Sequence, residues 1–279
     1  MRKKILLTGG TGFVGKQILK HLSKFDVDIV LVIRKCAKQS FSNVKNVVSV
    51  IETDNIFNET SSWWTSKLNN IDIVINAAWY AEPGKYLVSP KNLDCLSGTI
   101  TLAQGAISAN VRRFIGIGSC FEYDLSMCDL STETPLNPTS PYAAAKAAAY
   151  FSLSQAFIAV GMEFGWCRLF YLYGEGEDAR RFVPYLRAQL EKGEPAHLTG
   201  GKQIRDFMDV QDAGFAIAHA AISSCQGAIN ICSGQPISIR RLAEQIANEY
   251  GRSDLLKFGT RVDNQVDPPR VVGVPTSLT

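Results

Sequence analysis

A glycine-rich turn near the start of the chain limits the possible folds most strongly. "KILLTGG" predicts a first strand and "GFVGKQILKHLSKF" the helix after it, with TGGTGFVG at residues 8–15 between them. Gly10, Gly12 and Gly15 satisfy G-x-G-x-x-G, whereas Gly9, Gly12 and Gly15 satisfy G-x-x-G-x-x-G. Glycines at such a turn let the backbone approach a pyrophosphate, and the helix N-terminus offers unpaired N–H groups. The stretch therefore predicts a dinucleotide-binding turn, although other turns are also rich in glycine.

Short apolar runs alternate with helical patterns along much of the chain. After the first strand, further strands are predicted at "DIVLVIRK", "VVSVIETD", "DIVINAAWY", "RRFIGIGS" and "MEFGWCRLFYLYG". Alternation of strands with helices is typical of a parallel sheet that is covered on both faces. The predicted fold class is therefore α/β, a Rossmann-type doubly wound parallel sheet with a smaller C-terminal substrate-binding lobe.

The predicted division of the chain follows this pattern. Residues 1–170 are assigned to the dinucleotide-binding domain, with a returning segment near 206–225. Residues 171–205 and 226–279 are assigned to the substrate-binding lobe. We expect this lobe to lie over the carboxyl ends of the strands, because open α/β sheets bind ligands there.

Composition disfavours several other classes of protein. The 279 residues carry a net charge of +3, and the basic residues are scattered, so a nucleic-acid partner is not expected. The seven cysteines show no C-x-x-C spacing and the three histidines lie far apart, which argues against a disulfide framework and a metal site. The N-terminal apolar run is too short for a signal peptide, and no membrane span is expected. These features predict a cytoplasmic protein without a metal.

The end of the second strand bears on the choice of dinucleotide. Arg34 and Lys35 stand there, where NAD-binding turns place a carboxylate that accepts the ribose hydroxyls. A guanidinium fits a 2′-phosphate bidentately. The sequence therefore favours NADPH, with NADH or NAD less favoured, unless both residues are ordinary solvated cations.

The segment SPYAAAKAAAYF at residues 140–151 predicts a helix in which most side chains are small. Tyr142 and Lys146 stand four residues apart, so they share one face of the helix. The surrounding alanines leave space for a bulky group near the backbone. Either these two residues belong to a packed core helix, or they form a functional pair. In such a pair the ammonium, together with the positive nicotinamide of an oxidised dinucleotide, would lower the pKa of the phenol.

Taken together, these motifs resemble the extended short-chain dehydrogenase/reductase family. The features that carry the resemblance are the glycine turn, "NAA" at 76–78, a serine after the fifth strand and the pair Tyr142-x-x-x-Lys146. The chain is most similar to the branch of nucleoside-diphosphate-sugar 4-ketoreductases and epimerases. Landmarks in the order of that branch are "RLFYLYG" at 168–174, "IRDFMDVQD" at 204–212 and "INICSG" at 229–234.

The resemblance implies roles for individual residues. Tyr142 is the expected general acid or base, Lys146 its partner and Ser119 a hydrogen-bond donor to the reacting carbonyl. The expected cofactor-binding residues are Gly9, Gly12, Phe13, Val14, Gly15, Arg34, Lys35, Asp54, Ala77, Ala78, Tyr142 and Lys146. The family also implies a homodimer through the helices around residues 92–110 and 142–160.

The resemblance likewise implies a site for a nucleoside-diphosphate sugar. The expected substrate-binding residues are Trp79, Cys120, Phe121, Tyr171 and Arg205. Arg205 is expected to hold the diphosphate, with an ion pair to Asp206 or Asp209 as the alternative. Tyr171 stands where relatives often carry an asparagine, and Trp79 and Phe121 are equally compatible with a core position.

Two positions narrow the expected reaction. Dehydratases of this branch typically carry Asp-Glu directly after the serine or threonine, whereas this chain has Cys120 and Phe121. Epimerases retain NAD and gain nothing from NADPH, so Arg34 favours a reductase. The predicted function is NADPH-dependent reduction of the 4-keto group of a nucleoside-diphosphate 4-keto-6-deoxysugar. A 4-epimerase with tightly bound NAD is the alternative, and a non-catalytic NADPH sensor is a third, less favoured reading.

Overall fold

A computed structural model describes residues 2–35, 41, 43–262 and 267–278. The strands are β1 (Lys3–Thr8), β2 (Val27–Arg34), β3 (Val47–Thr53), β4 (Ile73–Asn76), β5 (Arg113–Ser119), β6 (Asp129–Leu130), β7 (Glu163–Leu169), β8 (Tyr171–Tyr173), β9 (Ala196–His197), β10 (Ile204–Asp209), β11 (Gly227–Ile231), β12 (Pro236–Ser238), β13 (Leu256–Lys257) and β14 (Arg270–Gly273). The helices are α1 (Phe13–Leu22), α2 (Ser61–Lys67), α3 (Lys91–Ser108), α4 (Pro141–Val160), α5 (Phe182–Lys192), α6 (Val210–Ile222) and α7 (Ile239–Glu249).

The principal sheet has seven parallel strands in the order β11-β7-β5-β4-β1-β2-β3. The chain first builds outward from β1 to β3 and then returns to the other side of β1, which confirms the predicted doubly wound sheet. The reversal leaves the ends of β1 and β4 side by side, with Thr8 opposite Asn76. Their side chains are hydrogen-bonded at 2.7 Å, and Asn76 also donates to Thr99 at 3.1 Å. The fold thus places a crevice at this switch point.

Alternate residues of the central strands point to opposite faces of this sheet. Leu7 belongs to the core beneath α1 and α6, together with Ile18 and Ile217. Leu6 belongs to the core beneath α2, α3 and α4, together with Phe157. Full burial of each such side chain stabilises the fold by about 1.5–3 kcal/mol. The two apolar faces explain why the strands read as continuous hydrophobic runs.

The smaller part of the molecule is built around a second sheet. Strands β12, β10, β14 and β6 are neighbours in that order, and β8 also pairs with β10. Helices α5 and α7 share a separate apolar cluster that includes Leu186 and Ile246. Strand β11 lies in the seven-stranded sheet, although the predicted lobe begins at residue 226. The division into domains therefore remains a prediction, and its last boundary meets a strand of the principal sheet.

Three local features differ from the sequence prediction. The segment "MEFGWCRLFYLYG" forms two strands, because the chain leaves the principal sheet after Leu169 and enters the second sheet at Tyr171. Helix α2 was not predicted, since its seven residues are too few for a helical period. It begins where the Thr60 hydroxyl accepts a hydrogen bond from Trp63 N, and it buries Trp64. The predicted fourth strand ends at Asn76, before "AAWY".

Helix α4 is positioned by signals at both of its ends. The Ser140 hydroxyl accepts a hydrogen bond from Ala143 N at 3.2 Å, and Pro141 occupies the first turn. Gly161 closes the helix in the left-handed conformation, with φ 69°. Among the described helices, α4 alone is long and apolar enough to cross a membrane by length and composition. Its side chains Leu153 and Phe157 are buried against the sheet, as in the core helix of a globular protein.

Candidate active site

The glycine turn forms a cradle that leaves no space for a side chain at Gly9 or Gly15. Gly9 has φ 69°, and a Cβ there would lie 2.6 Å from the backbone carbonyl carbon of Ala77. A Cβ at Gly15 would overlap the Gly9 carbonyl oxygen, which accepts a hydrogen bond from Gly12 N at 2.9 Å. A Cβ at Gly10 would meet only leucine side chains, at 3.3 Å. Of the two glycine patterns in the sequence, the spacing Gly9, Gly12, Gly15 is therefore the one that shapes the turn.

Two connected clefts open from this cradle. The first cleft has a volume of about 640 Å³ and extends past Arg34, Asp54 and Ala78. The second cleft has a volume of about 670 Å³ and extends past Phe13, Val14 and Gly15 to the end of β5. Gly9, Gly12, Ala77 and Trp79 line both. A bare backbone cradle at a helix N-terminus, with a cleft on either side, fits an extended dinucleotide.

The first cleft holds the predicted cofactor-specificity residues. Arg34 is exposed at the end of β2. Lys35 Nζ lies 2.8 Å from Asp54 Oδ2, and both side chains are exposed. The Asp54 carboxylate raises the pKa of Lys35 through this hydrogen bond and its charge. Lys35 and Asp54 therefore form an ion pair. Arg34 and Asp54 line the first cleft.

The second cleft brings the three predicted catalytic residues together. Tyr142 and Lys146 lie on α4 one turn apart, and Ser119 ends β5 opposite them. Ser119 lies close enough to the Tyr142 phenol to lower its pKa. Lys146 Nζ donates to the Ile117 carbonyl oxygen and lies 3.7 Å from the centroid of the Trp79 ring. A phenol, a hydroxyl and an ammonium can thus act on one reacting group, although their catalytic roles remain predictions.

Burial controls the protonation of this trio. Burial raises the pKa of the Tyr142 phenol, the neighbouring Tyr86 raises it further, and Ser119 opposes both. Burial also lowers the pKa of Lys146 to about 7, while Glu122 and Cys95 act in the opposite direction. The expected lowering of the phenol pKa by the ammonium is therefore not what this structure shows. Desolvation dominates, and it keeps the phenol protonated.

The predicted substrate residues form an aromatic wall of the second cleft. The rings of Phe121 and Tyr171 lie 6.1 Å apart, and Tyr171 in turn lies 5.7 Å from Phe207. Cys120 lies beside them and is fully buried, which raises the pKa of its thiol. Trp79 is fixed on the opposite side by a hydrogen bond from its Nε1 to Asn92 at 2.9 Å. The wall is suited to the apolar face of a sugar ring.

Arg205 is the buried cation of this wall, with a side-chain exposure of 2%. Its guanidinium pairs with Asp267 Oδ2 at 2.7 Å, and not with either aspartate proposed from the sequence. Asp206 instead accepts hydrogen bonds from Ser233, Gly234 and Gly273. Asp209 caps α6 by accepting from Gln211 N at 2.7 Å. The partner of Arg205 was missed because it lies 62 residues away, outside any local pattern.

Two further charged residues near the cleft were not identified from the sequence. Burial raises the pKa of Glu177 to about 7, and its Oε2 has no hydrogen-bond partner among the described residues. Glu177 lines the second cleft in the loop after β8. Glu122 lies fully buried behind Ser119. The sequence signal for Glu122 is a carboxylate three residues after the end of a largely apolar strand.

Comparison with known proteins gives consistent matches over nearly the full length. A dTDP-6-deoxy-L-talose 4-dehydrogenase (NAD(+)) from Aggregatibacter actinomycetemcomitans is 24% identical over 251 residues, which cover 88% of this chain and 90% of that protein. A CDP-abequose synthase from Salmonella muenchen is 25% identical over 264 residues, covering 93% and 85%. The structure of a UDP-N-acetylglucosamine 4-epimerase from Methanobrevibacter ruminantium M1 superposes with a TM-score of 0.84 at 23% identity, covering 99% and 90%.

The family itself is identified by a match that spans most of the chain. Residues 5–232 match the NAD dependent epimerase/dehydratase family, which includes the glycine turn, the trio in the second cleft and strand β11. The matched relatives are enzymes named for nucleotide sugars, and the family uses a nicotinamide dinucleotide. This chain is an enzyme that belongs to the NAD dependent epimerase/dehydratase family.

Proposed function

We propose that the protein reduces the 4-keto group of a nucleoside-diphosphate 4-keto-6-deoxysugar to the 4-hydroxy sugar, with NADPH as reductant. The observation that carries this proposal is the meeting of Ser119, Tyr142 and Lys146 in a cleft that is continuous with the glycine cradle. A relative named as a 4-dehydrogenase of a dTDP-6-deoxysugar supports it, since that oxidation is the reverse of ketone reduction.

The side chains of the second cleft are suited to protonating a developing alkoxide. Bound NADPH supplies the hydride. Tyr142, kept neutral by burial, donates its phenolic proton to the ketone oxygen as negative charge develops there. The Ser119 hydroxyl donates a hydrogen bond to the same oxygen. Lys146, with a pKa of about 7, holds a proton near the phenolate and can exchange it with water at neutral pH.

The residues after Ser119 argue against dehydration in this chain. Cys120 is 2% exposed, and burial raises its thiol pKa, so it stays protonated and cannot serve as a base. Phe121 has no titratable group. Elimination of water requires a base and an acid beside the sugar, and neither position supplies one. The reaction proposed here requires a single proton donor, which Tyr142 provides.

The preference for NADPH over NAD depends on Arg34. Arg34 lines the first cleft at the end of β2, and it is the cation that we assign to a 2′-phosphate. Lys91 lines the same cleft but lies over the Tyr80 ring, and Lys35 is paired with Asp54. The name of the matched 4-dehydrogenase specifies NAD(+), and the preference for NADPH is therefore a proposal about this chain's own residues. Bidentate contact with a phosphate is the physical reason for the assignment.

We also infer a homodimer that forms through α3 and α4. Each helix presents large apolar side chains to solvent: Leu93 is 68% exposed, Phe151 57% and Ile158 71%. Exposed apolar groups clustered on adjacent helices are typical of association surfaces. Light scattering on the purified protein tests this inference, and a single monomer mass over a wide concentration range would contradict it. The cytoplasmic location stays a prediction from sequence.

The reaction is tested with a panel of 4-keto-6-deoxysugars carrying different nucleoside diphosphates. We expect loss of NADPH absorbance, matched one to one by the 4-hydroxy sugar. Tyr142→Phe is expected to slow turnover by about 10²–10⁴-fold, because it removes the proton donor. Tyr250→Phe, which alters a phenol at the end of α7, serves as the matched control. If the 4-keto sugars are not reduced, and a nucleoside-diphosphate 4-hydroxy sugar is inverted at C4 with the cofactor unconsumed, the 4-epimerase replaces the reductase.

A further inference from the structure

Glu122 is a fully buried carboxylate in the short turn that follows β5. Its Oε1 accepts a hydrogen bond from Ser119 N at 2.7 Å. Its Oε2 accepts from Arg168 Nε at 2.8 Å, and Trp166 Nε1 donates to the same carboxylate at 3.0 Å. The Ser119 hydroxyl in turn accepts from Phe121 N at 3.3 Å. The backbone of Ser119 is therefore fixed by a carboxylate that is itself fixed on two sides.

Two glycines of β5 make space for this arrangement. Gly116 and Gly118 lie opposite Trp166 and Arg168 in the pairing of β5 with β7. A Cβ on Gly118 would overlap the indole nitrogen and would lie 2.5 Å from Glu122 Oε1. A Cβ on Gly116 would overlap the indole ring. The sequence "GIGS" thus admits the indole and the carboxylate beneath Ser119.

Burial of the Glu122–Arg168 ion pair costs free energy, so stability alone does not explain why the pair is there. Removing a carboxylate and a guanidinium from water costs several kcal/mol per ion, and apolar replacements are often as stable. Arg168 also donates to the Tyr123 hydroxyl at 3.0 Å, and Tyr123 donates to Asn230 at 2.6 Å. These contacts tie the turn to β7 and β11. None of these contacts involves Ser119. They therefore do not explain the hydrogen bond that the Glu122 carboxylate accepts from Ser119 N.

We propose that Glu122 is a positioning residue for the proposed reduction. It fixes the Ser119 backbone at the edge of the second cleft, beside Tyr142. It also supplies a buried negative charge near Lys146, since it accepts a hydrogen bond from Trp166 Nε1 and the Lys146 ammonium lies 6.0 Å from the centroid of that indole ring. This inference rests on the roles proposed for Ser119, Tyr142 and Lys146.

The charged and titratable surroundings of both groups are few. Lys146 is faced by Glu122 from the turn after β5, by the Cys95 thiol from α3 and by the Tyr142 phenol from α4. Trp79 and Trp166 present ring faces to it. Glu122 is faced by Arg168, Trp166 and the Tyr123 phenol, and its charge also raises the pKa of the Cys120 thiol and of the Tyr142 phenol. Of the groups that face Lys146, Glu122 raises its pKa most, so loss of this carboxylate moves the lysine titration to lower pH.

Two double variants separate the hydrogen bond from the charge. Glu122→Leu/Arg168→Met replaces the ion pair by apolar side chains, so both roles are lost while the buried charges cancel. Glu122→Gln/Arg168→Met retains an amide oxygen that can accept from Ser119 N but lacks the negative charge. We expect kcat to fall by about 10–100-fold in the leucine double variant, since misplacement of a catalytic group by about 1 Å can cost that much. The glutamine double variant should recover most of this loss, with KM for the cofactor unchanged in both.

The effect of the Glu122 charge on Lys146 is tested by a measurement that needs no substrate. The ¹³C shift of the Lys146 side chain, assigned by comparison with Lys146→Met, follows the lysine titration. We expect both double variants to titrate at lower pH than the wild type. Tyr123→Phe, which leaves the Ser119 contact in place, is the control and should keep the wild-type kcat and titration while losing thermal stability.

Wild-type kcat and an unshifted Lys146 titration in the leucine double variant would overturn the inference and leave Glu122 a purely structural residue. Equal kcat in the two double variants would overturn the hydrogen-bond role. If the wild type turns over no 4-keto sugar, the proposed function fails, while the lysine titration still decides the role of the Glu122 charge.

Discussion

The Lys146 ammonium lies 3.7 Å from the centroid of the Trp79 indole ring. Trp79 follows β4 and lines both clefts, so this contact connects the cofactor cradle to the catalytic helix. A desolvated cation over an indole face is stabilised by about 2 kcal/mol. Burial disfavours the positive charge of Lys146. Three groups stabilise this charge: the Trp79 ring, the Ile117 carbonyl and the Glu122 carboxylate.

Lys146 is expected to be a functional residue that lowers stability at neutral pH. Its folded-state pKa of about 7 lies below the ordinary lysine value, so the unfolded chain binds more protons at intermediate pH. Lys146 does not destabilise the fold above its unfolded-state pKa. Its destabilising effect grows as the pH falls and is complete once the pH has fallen through about 7. Lys146→Met should therefore abolish turnover yet raise stability at pH 6 by up to about 5 kcal/mol, with the gain vanishing towards pH 10.5. Thermal melts across this range measure it, and a Tm loss at pH 6 would contradict the burial argument.

The cradle is expected to tolerate a methyl group at one glycine and not at another. Gly15→Ala places a Cβ on the Gly9 carbonyl oxygen, so the turn must open and cofactor affinity should fall by at least about 10-fold. In Gly10→Ala the nearest atoms to the Cβ are leucine methyl groups of the core at 3.3 Å and not the backbone of the turn, so the variant should bind the cofactor almost as the wild type does. Fluorescence titration with NADPH and NADH compares the two variants. Equal affinities would show that the cradle does not hold the dinucleotide.

Arg205 is expected to act on substrate binding more than on the chemical step. Arg205→Met removes the one buried guanidinium of the aromatic wall, and loss of a charge-assisted bond of about 1.5–3 kcal/mol raises KM about 10–100-fold. Asp267→Asn removes the carboxylate that pairs with Arg205, so KM for the sugar nucleotide should stay the same or fall. Steady-state kinetics separates KM from kcat. An unchanged KM in Arg205→Met would leave the diphosphate without its proposed partner.

Arg34 is expected to determine the preference between the two nicotinamide cofactors. Arg34→Ala removes the guanidinium beside the Lys35–Asp54 pair, so NADPH affinity should fall by about 10-fold while NADH affinity stays constant. The ratio of kcat/KM for the two cofactors is the quantity to measure. A ratio that does not change, or a wild type that prefers NADH, would remove the proposed phosphate contact.

The fold was predictable because its signals are local. A strand, a glycine turn and a helix follow one another within the first 22 residues of the described chain, and each later strand is a short apolar run. Tyr142 and Lys146 were predictable for the same reason, since one helical turn joins them. Helix α2 escaped prediction because a seven-residue helix shows no period.

Contacts between distant segments could not be predicted. Glu122 meets Arg168 across 46 residues, and Arg205 meets Asp267 across 62, so no spacing pattern links either pair. The effect of burial on the Tyr142 phenol could not be predicted either, because burial raises its pKa in the protein alone and burial is set by the whole fold. The ion pairs and the protonation states of the site therefore depend on the whole fold and not on local sequence patterns.

Transfer of a labelled hydride is the most direct test of the reductase assignment. The protein is incubated with a nucleoside-diphosphate 4-keto-6-deoxysugar and NADPH that carries deuterium at the transferable position, and the product is analysed by mass spectrometry and NMR. The account predicts one deuterium at C4 of the 4-hydroxy sugar, one NADPH consumed for each product molecule, and loss of both in Tyr142→Phe. A 4-keto sugar that stays unreduced and unlabelled while NADPH remains would contradict it. Inversion at C4 of a nucleoside-diphosphate 4-hydroxy sugar, with no net loss of cofactor, would then identify the 4-epimerase.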